Sequence, residues 1–306
     1  MIEERPSILF DSAFLSKLER LQLIARRIAA GRDRAERRSR RTGSSLEFAD
    51  HRNYARGDDL RAIDWNIYGR LERLFIKLFE EEEDLPVHIL VDGSASMQWQ
   101  PPRADKTHWK KFDYARRLAA ALAYIGLSNL DRLELHFFAG QLEHGMGLAR
   151  GKKNFQRVLN YLGNPPAQST MTTDLRVSLQ TFQRKARRRG LVCILSDFLD
   201  PSGWEEPLAR LNAARFDIEL IQIVDPAESD PSQLGDLRLT DSESGEEMEV
   251  TVDEKVVAAY REAFAAFVAR LEGFCRRHGH GWMQANTAEP FEDLILLMLR
   301  EGGLVR

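Results

Sequence analysis

The stretch His88-Ile89-Leu90-Val91-Asp92-Gly93-Ser94-Ala95-Ser96-Met97 decides the fold. Val87 to Val91 is a short apolar run and reads as a buried strand. An aspartate stands at the strand's end, and hydroxyls follow it at spacings of two and four. In an open α/β sheet, ligands bind in the crevice outside the carboxyl ends of the strands. A loop of the form Asp-Gly-Ser-x-Ser offers one carboxylate and two hydroxyl oxygens within a single turn. Such oxygens suit a hard cation, which takes about six oxygen ligands and readily keeps waters.

Outward from this stretch the same strand, loop, helix order recurs. Phe112 to Leu127 reads as a helix with an alanine-rich packing face, and Leu133 to Phe138 as the next strand. Helices are expected at Asn154–Leu162, Asp174–Arg188 and Trp204–Ala214, with strands at Leu191–Leu195 and Ile218–Val224. This alternation predicts an α/β fold, an open and mostly parallel sheet with helices on both faces. Residues 237–252 break the pattern. Leu237-Arg238-Leu239 and Met248 to Val252 flank Ser244-Gly245 and read as an inserted β-hairpin at about 236–252. A long helix from Asp253 to His278, an edge strand at Gly281–Asn286 and a closing helix at Pro290–Arg300 complete the domain. Toward the N-terminus, residues 11–30 read as a helix, and Arg73–Phe79 as a strand within a polar, aromatic-rich segment that ends in the acidic run Glu80 to Asp84. The expected division is therefore 1–84, a helix with a small β-rich subdomain, and 85–306, the α/β domain.

Composition narrows the class. Of 306 residues, 43% are hydrophobic and 30% charged, which is a folded soluble chain rather than a disordered one. The net charge of −3 gives no global reason to expect nucleic acid. Two cysteines, Cys193 and Cys275, make no disulfide framework and point to a reducing compartment. No zinc spacing or HExxH pair occurs. The N-terminus lacks the regions of a signal peptide, and the longest apolar stretch, Leu118 to Leu127, falls far short of a membrane span of roughly 20 residues. A cytoplasmic protein without a transmembrane segment is expected.

Two further oxygens for the ion are expected from other strand ends. Thr173 lies in Thr172-Thr173-Asp174-Leu175 just before a helix, and Asp197 follows the strand that ends in Leu195-Ser196. Together Asp92, Ser94, Ser96, Thr173 and Asp197 resemble the metal-ion-dependent adhesion site of the von Willebrand factor type A superfamily. The resemblance implies one Mg²⁺ (or Mn²⁺ or Ca²⁺) per chain, with serines and threonine touching the metal and aspartates acting directly or through water. Thr172 is the alternative to Thr173. Hydroxyl ligands leave part of the ion's charge uncompensated, so an acidic side chain of a partner is expected to complete the shell.

A second resemblance covers roughly residues 15–300. The run Phe48-Ala49-Asp50-His51-Arg52-Asn53-Tyr54-Ala55-Arg56-Gly57-Asp58-Asp59-Leu60-Arg61-Ala62-Ile63-Asp64-Trp65-Asn66 is similar to the signature of the bacterial domain-of-unknown-function family fifty-eight. It implies a non-enzymatic protein-protein interaction module, with a MoxR-type AAA+ ATPase as partner, acting in assembly or activation of a client complex.

Two rival functions stand against this reading. A metal-dependent phosphohydrolase would use Asp92 as phosphoryl acceptor, but no aspartate stands two residues on to serve as acid and base. Gly93-Ser94-Ala95-Ser96-Met97 fails the nucleophile elbow at Met97, and no phosphate-binding GxxxxGK[ST] loop is present. The other rival rests on nine arginines against two acids between Arg20 and Arg41. This cluster, concentrated in residues 26–41, would bind nucleic acid or acidic lipid, although such runs are usually solvated helix faces.

Overall fold

The computed structural model describes residues 9–39, 50–55, 63–71, 73–78, 86–99, 109–166, 173–231, 234–242 and 245–301. In chain order these form α1 (Ser12–Ser39), β1 (Asp50–Asn53), α2 (Trp65–Leu71), β2 (Phe75–Leu78), β3 (Val87–Asp92), α3 (Lys111–Ser128), β4 (Arg132–Phe138), β5 (Ala149–Arg150), α4 (Phe155–Gly163), α5 (Leu175–Lys185), β6 (Leu191–Ser196), α6 (Glu205–Ala213), β7 (Asp217–Val224), α7 (Pro226–Ser229), β8 (Gly235–Thr240), β9 (Glu247–Val252), α8 (Glu254–His278), β10 (Gly281–Asn286) and α9 (Phe291–Glu301). The chain divides into two compact units, residues 1–28 with 85–306, and residues 29–84. In the smaller unit β1 and β2 pair antiparallel, Asp50 opposite Leu78.

The larger unit is the expected α/β domain, with an open and mostly parallel sheet. Among the described residues its sheet has six strands in the order β10-β7-β6-β3-β4-β5. All neighbours run parallel except the short edge strand β5, which is antiparallel to β4. The chain leaves β3 toward β4 on one side and reaches β6 on the other. The order therefore reverses between β3 and β6, which places a crevice at their carboxyl ends. Period-two alternation along the central strands feeds two cores. Ile89, Val91, Leu135, Cys193 and Ile221 face α1, α3 and α9, through Phe14, Leu118 and Ile295 among others. Leu90, Val192, Ile194 and Leu220 face α5, α6 and α8, through Phe182, Leu208 and Phe274. Both cysteines are buried free thiols.

The helix expected at 11–30 runs nine residues further, to Ser39. Alanine and arginine are good helix formers and Gly31 costs the helix only about 1 kcal/mol, so the helix continues through the basic run. Side chains from 26 to 39, and residues 40 and 41, lie outside the described residues, as do Thr172, the acidic run at 80–84 and, within the 48–66 signature, residues 48, 49 and 56–62. The strand expected at 73–79 is described at Phe75–Leu78. Among the described residues no helix is long and apolar enough to cross a membrane.

The sheet is closely fitted at the entries of its central strands. A Cβ on Gly190 would stand 2.0 Å from the Pro86 carbonyl oxygen, which already accepts from Leu191 N–H. Backbone cannot yield as a side-chain tip can, so Gly190→Ala is expected to lower stability by roughly 1–3 kcal/mol. Gly273 in α8 has nothing within 4 Å of its added Cβ, and Gly273→Ala is expected to raise stability by about 0.5–1 kcal/mol. Urea unfolding of the two variants checks the opposite signs.

Candidate metal centre

Strand β3 ends on a hydrogen bond from Gly93 N–H to Phe138 O at 2.8 Å. The chain then folds back on Asp92, whose Oδ1 accepts Ser94 N–H at 2.9 Å, and passes into a short 3-10 turn at Ser96–Gln98. That local turn brings the Ser94 and Ser96 hydroxyls within 3.0 Å of each other. From the adjacent strand β6, the Ser196 hydroxyl donates to Asp92 Oδ2 at 2.5 Å and accepts Phe198 N–H at 2.9 Å. Asp197, the next residue, accepts Leu199 N–H on Oδ1 at 3.1 Å and the Lys111 ammonium on Oδ2 at 2.8 Å. Phe198 holds a left-handed backbone at φ 59° while fully buried. A non-glycine residue in that region costs on the order of 1–3 kcal/mol, and such residues cluster where a loop must aim a side chain.

Asp92 and Asp197 are both buried and close enough to repel. Burial, then the Asp197 charge, push the Asp92 carboxyl up from its ordinary 3.8 to about 7, against hydrogen bonds from Ser196 and Ser94 that pull it down. Two anions in a low-dielectric crevice are costly without a nearby cation. One cation is built in. Lys111 is wholly buried at the first turn of α3, where a positive charge opposes the helix dipole. Its Nζ reaches Asp197 at 2.8 Å and Glu228 at 2.7 Å. Both partners hold it charged against a desolvation that alone would lower its pKa. Glu228 belongs to the capping box of α7 with Asp225, and Asp225 Oδ2 accepts the Thr287 hydroxyl at 2.9 Å.

Of the five residues singled out from the sequence, Asp92, Ser94 and Ser96 meet in one turn, and Asp197 faces Asp92 from the neighbouring strand end. Thr173 is buried at the start of α5. Its neighbour Asp174 donates N–H to Ala139 O just beyond β4, and Leu175 N–H donates to Asp200 Oδ2 at 2.6 Å, so the segment lies along the same carboxyl edge of the sheet. Lys111, Ser196 and Glu228 were not singled out. The only sequence signal was the lysine pair Lys110-Lys111 at a helix start, an electrostatically unfavourable place that calls for an anionic partner.

The donor set suits a hard divalent ion: two carboxylates and neutral hydroxyls, with no nitrogen or sulfur donor. Among the described residues no group of three or more His, Cys, Asp or Glu side chains is arranged to hold a metal. A site here therefore depends on its hydroxyls as much as on its acids.

The family model described as "Protein of unknown function DUF58" matches residues 50–271. The chain belongs to this family. The DUF58 chain is 28% identical over 266 residues to Uncharacterized protein Rv1480 of Mycobacterium tuberculosis (strain ATCC 25618 / H37Rv), which covers 86% of this chain and 82% of that one. Among solved structures it is similar to conserved hypothetical protein BatB from Bacteroides thetaiotaomicron, with a TM-score of 0.42 and 11% identity over 72% of this chain and 98% of that one. It is also similar to the SpRpn10 VWA domain, with a TM-score of 0.39 and 10% identity over 69% and 94%.

Proposed function

We propose that this DUF58 protein is a non-enzymatic interaction module that captures an acidic side chain of a partner through one divalent ion, with a MoxR-type AAA+ ATPase as partner in the assembly or activation of a client complex. The observation that carries the reading is the convergence of Asp92, Ser94, Ser96 and Asp197 at the point where the strand order reverses. A bound Mg²⁺ or Mn²⁺ would supply Lewis acidity toward an incoming carboxylate. Asp92, Ser94 and Ser96 would hold it, with Asp197 and Thr173 closing the set. Lys111 offsets the charge of Asp197, so the ion's positive charge is not spent within the chain and stays available to the partner. The same ion pair fixes the Asp197 loop before any partner arrives. The reading includes no turnover.

The test is binding of a purified MoxR-type ATPase from the same genome, measured in Mg²⁺ and in EDTA, with wild type and Asp92→Ala. Binding is expected to fall at least tenfold with chelator and with the variant. Equal binding in all four arms would sink the metal bridge.

A further inference from the structure

The β8–β9 hairpin takes no part in the metal centre, and its two faces differ in kind. Its register sets Leu239 opposite Met248 and Leu237 opposite Val250, so these four side chains share one face. The other face is polar and internally paired. Thr251 Oγ1 donates to Asp236 Oδ1 at 2.6 Å, and Arg238 lies 3.3 Å from Glu249 and 3.5 Å from Glu247. The apolar face is left open toward the tip, where Leu239 is 46% and Met248 61% exposed. A two-stranded hairpin alone is marginal in water, and natural sequences avoid exposing paired large apolar residues on free strands. Here the polar face is well paired and the apolar face is not blunted, which is the composition of a contact surface.

Charge decides what fits it. Residues 235–255 contain eight carboxylates and two cations, a local charge of 2 − 8 = −6 in a chain whose total is −3. Such a field repels nucleic acid, anionic membranes and acidic peptides, and draws cationic ones. We propose that the apolar face of β8–β9 is a docking surface for a segment of another protein in which apolar side chains are flanked by lysines or arginines. The carboxylates steer the segment in, and the Leu239–Met248 pair seats its apolar side chains. No residue of the metal centre belongs to this surface, so the interaction is independent of the ion.

The probe is a fluorescently labelled peptide of alternating leucine and lysine, with an alternating leucine–glutamate peptide as control, titrated by anisotropy against the full chain in EDTA. The lysine peptide is expected to bind and the glutamate peptide not to. Leu239→Ser/Met248→Ser is expected to weaken binding at least tenfold, and Glu247→Lys/Glu249→Lys severalfold, with unchanged melting since all four positions are exposed. Binding of the lysine peptide is expected to be the same in Mg²⁺ as in EDTA, even if the ATPase test above fails. Equal binding by wild type and the serine variant, or of the two peptides, overturns the proposal. Sedimentation of the chain alone supplies the other outcome: a concentration-dependent dimer that the serine variant abolishes would assign the face to a second copy and overturn the proposal as well.

Discussion

Asp92→Asn is expected to raise the melting temperature of the metal-free protein at pH 8 and to abolish the further rise that Mg²⁺ gives the wild type. The sign follows from the carboxyl's environment. Burial first, and Asp197 second, raise its pKa from 3.8 in the unfolded chain to about 7 in the fold. The folded state therefore binds the proton more tightly than the unfolded one. That contribution is fully present below about pH 4, declines as pH rises toward 7, and above 7 the fold carries a buried anion. Asparagine keeps an acceptor for Ser94 N–H and an amide that donates to Ser196 Oγ, without the charge. Removing a few kcal/mol of desolvation is expected to raise Tm by roughly 5–10 °C at pH 8, a gap that narrows at pH 5.5 where the wild type is already protonated. An ion at a hundred times its Kd stabilises by about 2.7 kcal/mol, or roughly 5–10 °C in a domain of this size. Differential scanning fluorimetry at the two pH values, with and without Mg²⁺, checks both arms. A wild type that Mg²⁺ does not shift, or a variant that it still shifts, would contradict the assignment of Asp92 to the ion.

Lys111→Met is the most damaging single change expected in the crevice. The ammonium is wholly buried between Asp197 and Glu228. Removing one partner of such a pair leaves uncompensated buried charge and costs about 3–5 kcal/mol. A fall in Tm on the order of 10 °C follows for a domain of this size. The double variant Lys111→Met/Glu228→Gln is expected to recover part of the loss, because one of the two stranded anions is gone. Glu228→Gln alone is expected to cost less than Lys111→Met, since Asp197 still holds the ammonium. Urea unfolding of the three variants measures these differences, and a single-variant loss under about 1 kcal/mol would show that the ion pair does not anchor the loop.

What was legible in the sequence was what is local. The spacing of Asp92, Ser94 and Ser96 is set within one turn, and the apolar runs at 87–91, 133–138, 191–195 and 218–224 are long enough to mark their strands without ambiguity. The parallel sheet followed from their alternation with helices. The inserted hairpin and the helix it leads into were also legible, because Ser244-Gly245 is a strong turn signal. Short elements were not. The seven residues of α2 and the four of α7 carry too little periodicity, and β5 is two residues long. The helix expected at 11–30 extends to Ser39 because helix propensity carries it through the arginine run, where the apolar periodicity that marked its first part fades. At the site, the partners of Lys111 lie 86 and 117 residues away along the chain, and Ser196 reaches Asp92 across 104. Such pairings depend on which strands become neighbours. No pattern within a window of ten or twenty residues carries that information.

The two thiols have a practical consequence. Cys193 lies in the central strand β6 and Cys275 in the last turns of α8, both shut away from solvent. Burial pushes both thiols well above the ordinary cysteine range, that of Cys275 up to about 12, so neither offers thiolate in the fold at neutral pH. Maleimide reagents will leave the native chain unmodified and label both cysteines once their elements open. The molecule thus carries its own clock for opening of its two cores, Cys193 timing the α1/α3/α9 side and Cys275 the α5/α6/α8 side. A single cysteine introduced elsewhere on the surface becomes a selective attachment point without removing either native one.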